Sequence, residues 1–372
     1  MKEKIMVTRP FLPDRKVFDR YVDEIWQNKW LTNQGPLHER FSQQLKEYLG
    51  VENITPTVNG HIALEVALRG LRIHGEVITT PFTFASTTHS IALCGLTPVF
   101  CDIRESDMTL DPDKIENLIT DKTEAILPVH VYGHPCQTEL LEKIAIKHNL
   151  KILYDAAHAF GVKKNGECLA LAGDASIFSF HATKLFNSIE GGAIVFKDQR
   201  YKKNFDMFKN FGIANEESVP FIGGNGKMNE FQAAMGLANL EYMPEIIQHR
   251  KEYTLHYRER LARIQGIRFF MPDENCDVEY NYAYFPVLID EDARMNRHEI
   301  YDELKKADIY ARKYFFPLVS DCACYRNIPS AKNLPVASRI AQQVMTLPLY
   351  ADLGHENVDY ICDQLETLLG TK

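Results

Sequence analysis

The chain lacks any apolar run long enough to cross a bilayer, and its opening, "MKEKIMVTRPFLPDRK", has no apolar segment of the kind a secretory signal needs. It also lacks a block of lysines and arginines that would track a nucleic-acid backbone. With a net charge of −8, it must hold an anionic ligand through a few local groups. No C-x-x-C pair occurs. The eight cysteines, Cys94, Cys101, Cys136, Cys168, Cys276, Cys322, Cys324 and Cys362, are scattered, and only Cys322 and Cys324 are close. That spacing argues against a disulfide framework or a zinc site and points to reduced thiols in the cytoplasm. No strand candidate carries G-x-G-x-x-G into a helix. "GGNGKM", residues 223–228, lacks both the hydroxyl residue after its lysine and the earlier glycine of a Walker loop. Membrane spans, nucleic acid, dinucleotide binding and P-loop chemistry are thereby set aside. Nor is there an internal repeat.

What remains is a 372-residue chain, 45% hydrophobic, which is enough for more than one domain. From residue 76 onward, strand-like and helix-like stretches alternate. Strands are expected at Glu76–Thr80, Pro98–Ile103, Glu124–His130, Lys151–Asp155, Ala175–Phe180 and Ala193–Phe196. Their runs are short, nearly continuous and rich in Val, Ile and Phe, as in a sheet covered on both faces. Helices are expected at Asp111–Ile119 and Thr138–His148. This is the grammar of an α/β domain with a mostly parallel central sheet flanked by helices. Beyond about residue 245 the pattern changes to a long charged helix, strands at Ile267–Phe270 and Asn281–Ile289, and helices at Asn296–Lys306 and Glu356–Leu369. We therefore expect a large domain over residues 1–245 and a smaller C-terminal α+β domain over 246–372.

Ligands of open α/β sheets bind beyond the carboxyl ends of the strands. Three such places are informative. "PTVNGHIALEVALRG" sets Asn59 and Gly60 at a helix start, where free backbone N–H groups could meet an anion such as phosphate. An ordinary capped helix has the same pattern. Glu65 and Arg69 form an i,i+4 pair expected on its outer face. "KILYDAAHAFG" ends a buried strand in Asp155, with His158 soon after. A carboxylate there needs a partner, either a turn it caps or a cationic ring. In "FSFHATKLFNSIEGGAIVF", Ser179 ends a strand and Lys184 follows. A phosphate cup, a carboxylate for a ring nitrogen and a lysine able to form a Schiff base are together what pyridoxal phosphate requires. Lys184 stands 29 residues after Asp155, about one strand–connection–strand unit.

The ordered motifs "KWLTNQGP", "VNGHIALEVAL", "TTPFTFASTTHSI", "PVHVYGHP", "YDAAHAFG", "SFHATKLFNSIEGGA" and "NGKMNEFQAAMG" run along essentially the whole chain. They resemble the DegT/StrS sugar aminotransferases, pyridoxal 5'-phosphate enzymes of fold type I. The resemblance implies that Lys184 is the catalytic lysine bonded to the cofactor and that Asp155 pairs the pyridine nitrogen. It places His158 near the ring hydroxyl, Phe84 on the ring face, and Gly60, His61 and Ser179 at the phosphate. Asn225, with Lys227, would reach that phosphate from a second subunit of a homodimer with shared active sites. Position 61 is commonly Thr in this family, so the role of the His61 side chain is open. Thr32, Asn33, His181 and Tyr314 are candidate substrate contacts, and Glu190 is expected to fix its loop.

The implied reaction moves an amino group from L-glutamate to C4 of a nucleotide-linked 4-keto-6-deoxy sugar, leaving 2-oxoglutarate, with the cofactor as pyridoxamine 5'-phosphate between the two half-reactions. The pattern looks closest to enzymes acting on dTDP-4-keto-6-deoxy-D-glucose in surface-polysaccharide and O-antigen synthesis. C3-aminating relatives and UDP- or GDP-sugar relatives share the motifs. Related sugar dehydratases put His where this chain has Lys184. A non-catalytic paralogue would have no need of Asp155 and Lys184 together.

Overall fold

The computed structural model describes residues 4–270 and 277–371; Cys276 lies outside the described residues. Seven strands form the central sheet: β1 (Ile54–Thr57), β2 (Glu76–Thr79), β3 (Thr97–Phe100), β4 (Thr123–Leu127), β5 (Lys151–Asp155), β6 (Ala175–Ser179) and β7 (Gly192–Phe196). Their spatial order is β1-β7-β6-β5-β4-β2-β3. Only β7 is reversed: it pairs antiparallel with both β1 and β6, and every other pair is parallel. The sheet is mostly parallel, as expected, but β1 and the reversed β7 add a feature that the composition of their short apolar runs does not encode. All five residues of β7 are buried, so either direction would satisfy its side chains.

The helices cover both faces. They are α1 (Arg15–Asn28), α2 (Pro36–Leu49), α3 (Gly60–Gly70), α4 (Ala85–Leu93), α5 (Thr138–His148) and α6 (Glu230–Leu240). Ala63, Val66 and Ala67 of α3 pack with Ile177 of β6 and Ile194 of β7, while Leu141 and Ala145 of α5 pack with Ile126 and Ile152 on the opposite face. The expected helix Asp111–Ile119 is shorter, an α-turn at Pro112–Ile115 continued by one 3-10 turn. Helix α6 is buried along nearly its whole length and starts in a capping box between Asn229 and Gln232. Its Glu230 is also buried, and it accepts hydrogen bonds from Leu37 N and His38 N at 2.8 Å, supplying the cap that Gly35 cannot give α2.

After α6 comes α7 (Met243–Leu261). Its first turns join the core beneath α2, and its later residues Tyr253, Tyr257 and Leu261 join a second core. That second core lies on a sheet of β8 (Ile267–Phe269), β9 (Phe285–Ile289) and β10 (Val344–Leu347), with helices α8 (Arg297–Lys306) and α10 (His355–Leu369). Residues 281–284, expected in a strand, form irregular chain before β9, with Tyr282 at φ 54°.

The segment from Phe315 through α9 (Pro335–Gln343) follows the C-terminal sheet's β9 in sequence but packs on the edge of the large sheet, against Phe82 and Phe100. Buried Asp102 fixes it there: its carboxylate accepts from Val336 N (3.1 Å), Ala337 N (2.8 Å), Ile103 N (2.9 Å) and Lys114 Nζ (3.0 Å). Among the described residues no helix is long and apolar enough to cross a membrane.

Candidate active site

A cavity of about 370 Å³ opens at the carboxyl ends of β5 and β6. Lys184, Asp155, His158, Gly60, His61, Phe84, Ser179, His181 and Tyr314 all line it. The sheet accounts for that convergence. Parallel β5 and β6 end at Asp155 and Ser179 on the same side, and the antiparallel return of β7 brings Gly192 beside the start of α3.

Asp155 is buried, at 5% exposure. Its Oδ2 accepts from Thr87 Oγ1 at 2.7 Å and its Oδ1 from Ala157 N at 3.0 Å. Thr83 Oγ1 lies 2.8 Å from Thr87 Oγ1, which extends the chain of hydroxyls toward the cavity. Burial raises the Asp155 carboxyl above its ordinary range, and the two hydrogen bonds and the charge of Lys184 oppose that rise without cancelling it. No cation is in hydrogen-bonding contact with it among the described residues. The site thus holds a buried carboxylate with room for a positive partner.

Burial holds His158 well below the ordinary imidazole range, aided by the positive charge of Lys184. Tyr132 N donates to His158 Nδ1 at 3.0 Å, so the neutral ring carries its proton on Nε2. Asn281 Nδ2 donates to the carbonyls of His158 and Phe160 at 2.9 Å each, and buried Arg250 donates from Nη1 to the Ala283 carbonyl at 3.0 Å. These bonds hold the irregular chain that delivers Tyr284, whose hydroxyl is 3.4 Å from Lys184 Nζ.

At the start of α3, Asn59 caps the helix by accepting from Ile62 N at 2.8 Å. The Gly60 and His61 amides have no backbone acceptor among the described residues. A Cβ on Gly60 would fall 2.7 Å from Ser179 Cβ, so only glycine leaves space between this helix end and Ser179. The His61 ring spans two partners, with Nδ1 2.7 Å from Ser86 Oγ and Nε2 3.2 Å from Glu65 Oε1. Glu65 is therefore tied more closely to His61 than to Arg69, whose guanidinium is 3.8 Å away. His181 Nδ1 meets Thr183 Oγ1 at 2.8 Å, and its Nε2 is 3.4 Å from Glu190. The Glu190 carbonyl accepts from Gln232 Nε2 at 2.7 Å, which ties its loop to α6.

Four expected residues lie outside the cavity of this chain. Thr32 and Asn33 are exposed in the bend before α2. Lys227 Nζ donates to Asn225 Oδ1 at 2.7 Å and sits over the Phe211 ring, away from the cavity lining. Conversely, Tyr284, Arg312, Thr83, Thr87 and Ser86 belong to the site or its support but are not among the residues the sequence singles out. The last three fall within "TTPFTFASTTHSI", where the hydroxyl content is the available signal. Tyr284 and Arg312 come from 100 and 128 residues beyond Lys184 and have no local signal.

The chain is similar to known proteins over nearly its full length. The chain is 46% identical over 359 residues to a dTDP-4-amino-4,6-dideoxy-D-glucose transaminase of Escherichia coli, covering 95% of this chain and 96% of that protein. It is 43% identical over 368 residues to the transaminase of the same name from Shigella dysenteriae, covering 99% and 100%. The crystal structure of DesI in the presence of its TDP-sugar product superposes with a TM-score of 0.94 at 34% identity, covering 99% of this chain and 93% of that one. The model of the DegT/DnrJ/EryC1/StrS aminotransferase family matches residues 14–366. Matched over nearly its full length, this chain belongs to the DegT/DnrJ/EryC1/StrS aminotransferase family.

Proposed function

We propose that the chain transfers the amino group of L-glutamate to C4 of dTDP-4-keto-6-deoxy-D-glucose, giving dTDP-4-amino-4,6-dideoxy-D-glucose, with pyridoxal 5'-phosphate as cofactor. The observation that carries this reading is the meeting of Lys184, Asp155 and the Gly60–Ser179 cradle on one cavity, in a chain 43% and 46% identical to transaminases of that name. The residues present fit the cofactor. The cradle that a Cβ at Gly60 would fill, beside two free amides, suits a phosphate, and the buried Asp155 carboxylate suits a protonated ring nitrogen.

Bound there, the cofactor supplies an electron-accepting pyridine ring and a carbonyl carbon that carries the amino group from donor to acceptor. Asp155 holds a proton on the ring nitrogen, with Thr87 and Ala157 N fixing both its oxygens. Lys184 Nζ accepts the proton from Cα of the amino donor and later delivers one to C4 of the sugar. Tyr284 hydroxyl, 3.4 Å from that nitrogen, steers it. His158 donates from Nε2 to the ring hydroxyl oxygen, and Phe84 covers a ring face. Gly60 N, His61 N and Ser179 Oγ bind the phosphate, while His181 and Tyr314 contact the sugar.

A second copy of the chain completes the site with Asn225 and Lys227, and Thr32 and Asn33 approach the nucleotide. Exposed Trp30, Leu31, Ile189, Phe211 and Ile222 lie in the same segments as these residues and Glu190, which supports their burial in a homodimer. The test is turnover of dTDP-, UDP- and GDP-linked keto sugars with L-glutamate, with the aminated carbon located by NMR. Product aminated at C4 of the dTDP sugar is expected, and none from Lys184→Ala. Amination at C3, or a requirement for UDP or GDP, would overturn the substrate. Full turnover by Lys184→Ala would overturn the mechanism.

A further inference from the structure

Glu190 fixes its turn through its backbone, not through its side chain. Its carbonyl accepts from Ser188 Oγ at 2.9 Å and from Gln232 Nε2 at 2.7 Å. The turn is tight: a Cβ on Gly191 would fall 2.1 Å from Ser188 Oγ, and Ile189 stands at φ 71° while 47% exposed. A β-branched residue in the left-handed region is costly, and the turn that carries it sets Glu190 on the cavity wall with His181 and Lys184. Thr183 N donates to His181 Nδ1 at 3.2 Å, so the neutral ring carries its proton on Nε2, which faces Glu190 Oε1 at 3.4 Å. His181 and Lys184 share one turn, since Lys184 N donates to the His181 carbonyl at 2.8 Å. His181 is the one donor that faces the Glu190 carboxylate among the described residues, and Oε2 is left for a ligand.

We propose that Glu190 is a specificity residue for the acceptor, its carboxylate accepting a hydrogen bond from the C3 hydroxyl of the keto sugar, next to the carbon that receives the amino group. This rests on the substrate proposed above. A carboxylate accepts and does not donate, so whatever sits against it must carry O–H or N–H groups. It repels the carboxylates of the amino donor and the diphosphate of the nucleotide. The donor's amino group is committed to the reacting centre at Lys184, and the base and pentose lie beyond the diphosphate. What remains is the hexose. In a 4-keto-6-deoxy sugar the two neighbours of C4 are C3, which bears a hydroxyl, and C5, which bears a methyl group and the ring oxygen. C3 alone offers a donor beside the reacting carbon. Holding that hydroxyl on Glu190 sets C4, and not C3, toward Lys184 on the adjoining turn, and a site built to accept from a hydroxyl rejects a sugar that lacks it.

The test is titration calorimetry of the full chain loaded with pyridoxamine 5'-phosphate against dTDP-4-amino-4,6-dideoxy-D-glucose, two amines that cannot react with each other. Wild type, Glu190→Gln and Glu190→Ala are compared with this ligand, with its 3-deoxy analogue and with dTDP alone. Glu190→Ala should bind the amino sugar about tenfold more weakly than wild type, and Glu190→Gln, which keeps a neutral acceptor, about threefold more weakly. The 3-deoxy analogue should bind wild type about tenfold more weakly than the parent ligand and should not distinguish the three proteins. All three should bind dTDP equally, which shows that the variants are folded and the nucleotide site is intact. If Glu190→Ala loses as much affinity for the 3-deoxy analogue as for the parent, or also loses affinity for dTDP, the carboxylate does not read the C3 hydroxyl and the proposal falls, with the substrate left standing. Wild type that binds dTDP but gains nothing from the amino sugar would overturn the substrate reading, and this proposal with it.

Discussion

Replacing Thr87 by valine removes one hydroxyl and keeps the shape of the side chain. Thr87 is fully buried, and its Oγ1 donates to Asp155 Oδ2 at 2.7 Å. Hydrogen bonds to a charged acceptor contribute about 1.5–3 kcal/mol. Thr83 also loses a partner, but Thr83 lines the cavity and is rehydrated. The expected cost to the cofactor-free chain at neutral pH is therefore about 2 kcal/mol, roughly a thirtyfold loss in the folded-to-unfolded ratio.

The sign of the pH dependence follows from Asp155. Burial raises its pKa in the folded chain, so the folded state binds more protons than the unfolded one between the unfolded and folded pKa values. Stability from this residue is fully present below the unfolded carboxyl range and is lost as pH rises through the folded pKa. Thr87 limits that loss by favouring the charged form. Thr87→Val should therefore cost less in acid, falling to about 1 kcal/mol once the carboxyl is protonated and the lost bond is a neutral one. Urea denaturation of cofactor-free wild type, Thr87→Val, Asp155→Asn and the double variant, at several pH values, measures it. If Thr87→Val costs the same in the wild-type and Asp155→Asn backgrounds, or the same at every pH, the hydroxyl does not serve the carboxylate and the reasoning fails.

Two further substitutions test the scaffold. Gly60→Ala puts a Cβ 2.7 Å from Ser179 Cβ and 3.1 Å from its Cα; pyridoxal 5'-phosphate should bind at least about tenfold more weakly by fluorescence titration, with about 1–3 kcal/mol lost in stability. Unchanged affinity would mean that the gap between α3 and Ser179 is not the phosphate cup. Asp102→Ala leaves the start of α9 and Ile103 N without their acceptor and Lys114 with Asp111 alone. A loss of about 3–5 kcal/mol is expected, with faster amide exchange in residues 335–343. A loss under about 1 kcal/mol would show that Asp102 does not hold that segment on the large sheet.

Much of the large sheet was legible in the sequence because its strands are short apolar runs separated by polar turns. The Lys151–Asp155 strand and the Thr138–His148 helix have the expected bounds, and the neighbouring strands differ by a few residues at their ends. What local pattern could not give was direction and partnership. Ile54–Thr57 contains a proline and reads as a break, yet it closes one edge of the sheet by pairing with β7. Val344–Leu347 likewise carries no alternation, being buried on all sides.

Local sequence set the chemical inventory: a lysine, a strand-end aspartate and a glycine at a capped helix start, in an order that suits the proposed cofactor. It did so because each of these residues sits next to its own strand or helix, and a local signal suffices. Their surroundings come from packing between distant parts of the chain. Thr87 reaches Asp155 across 68 residues, Tyr284 reaches Lys184 across 100, and Asp102 grips a helix that starts more than 230 residues later. The ring of His61 was undecided until Ser86 stood beside it. Hydrogen bonds depend on distance and angle in space, and for residues 68 or more apart the separation along the chain carries no information about either.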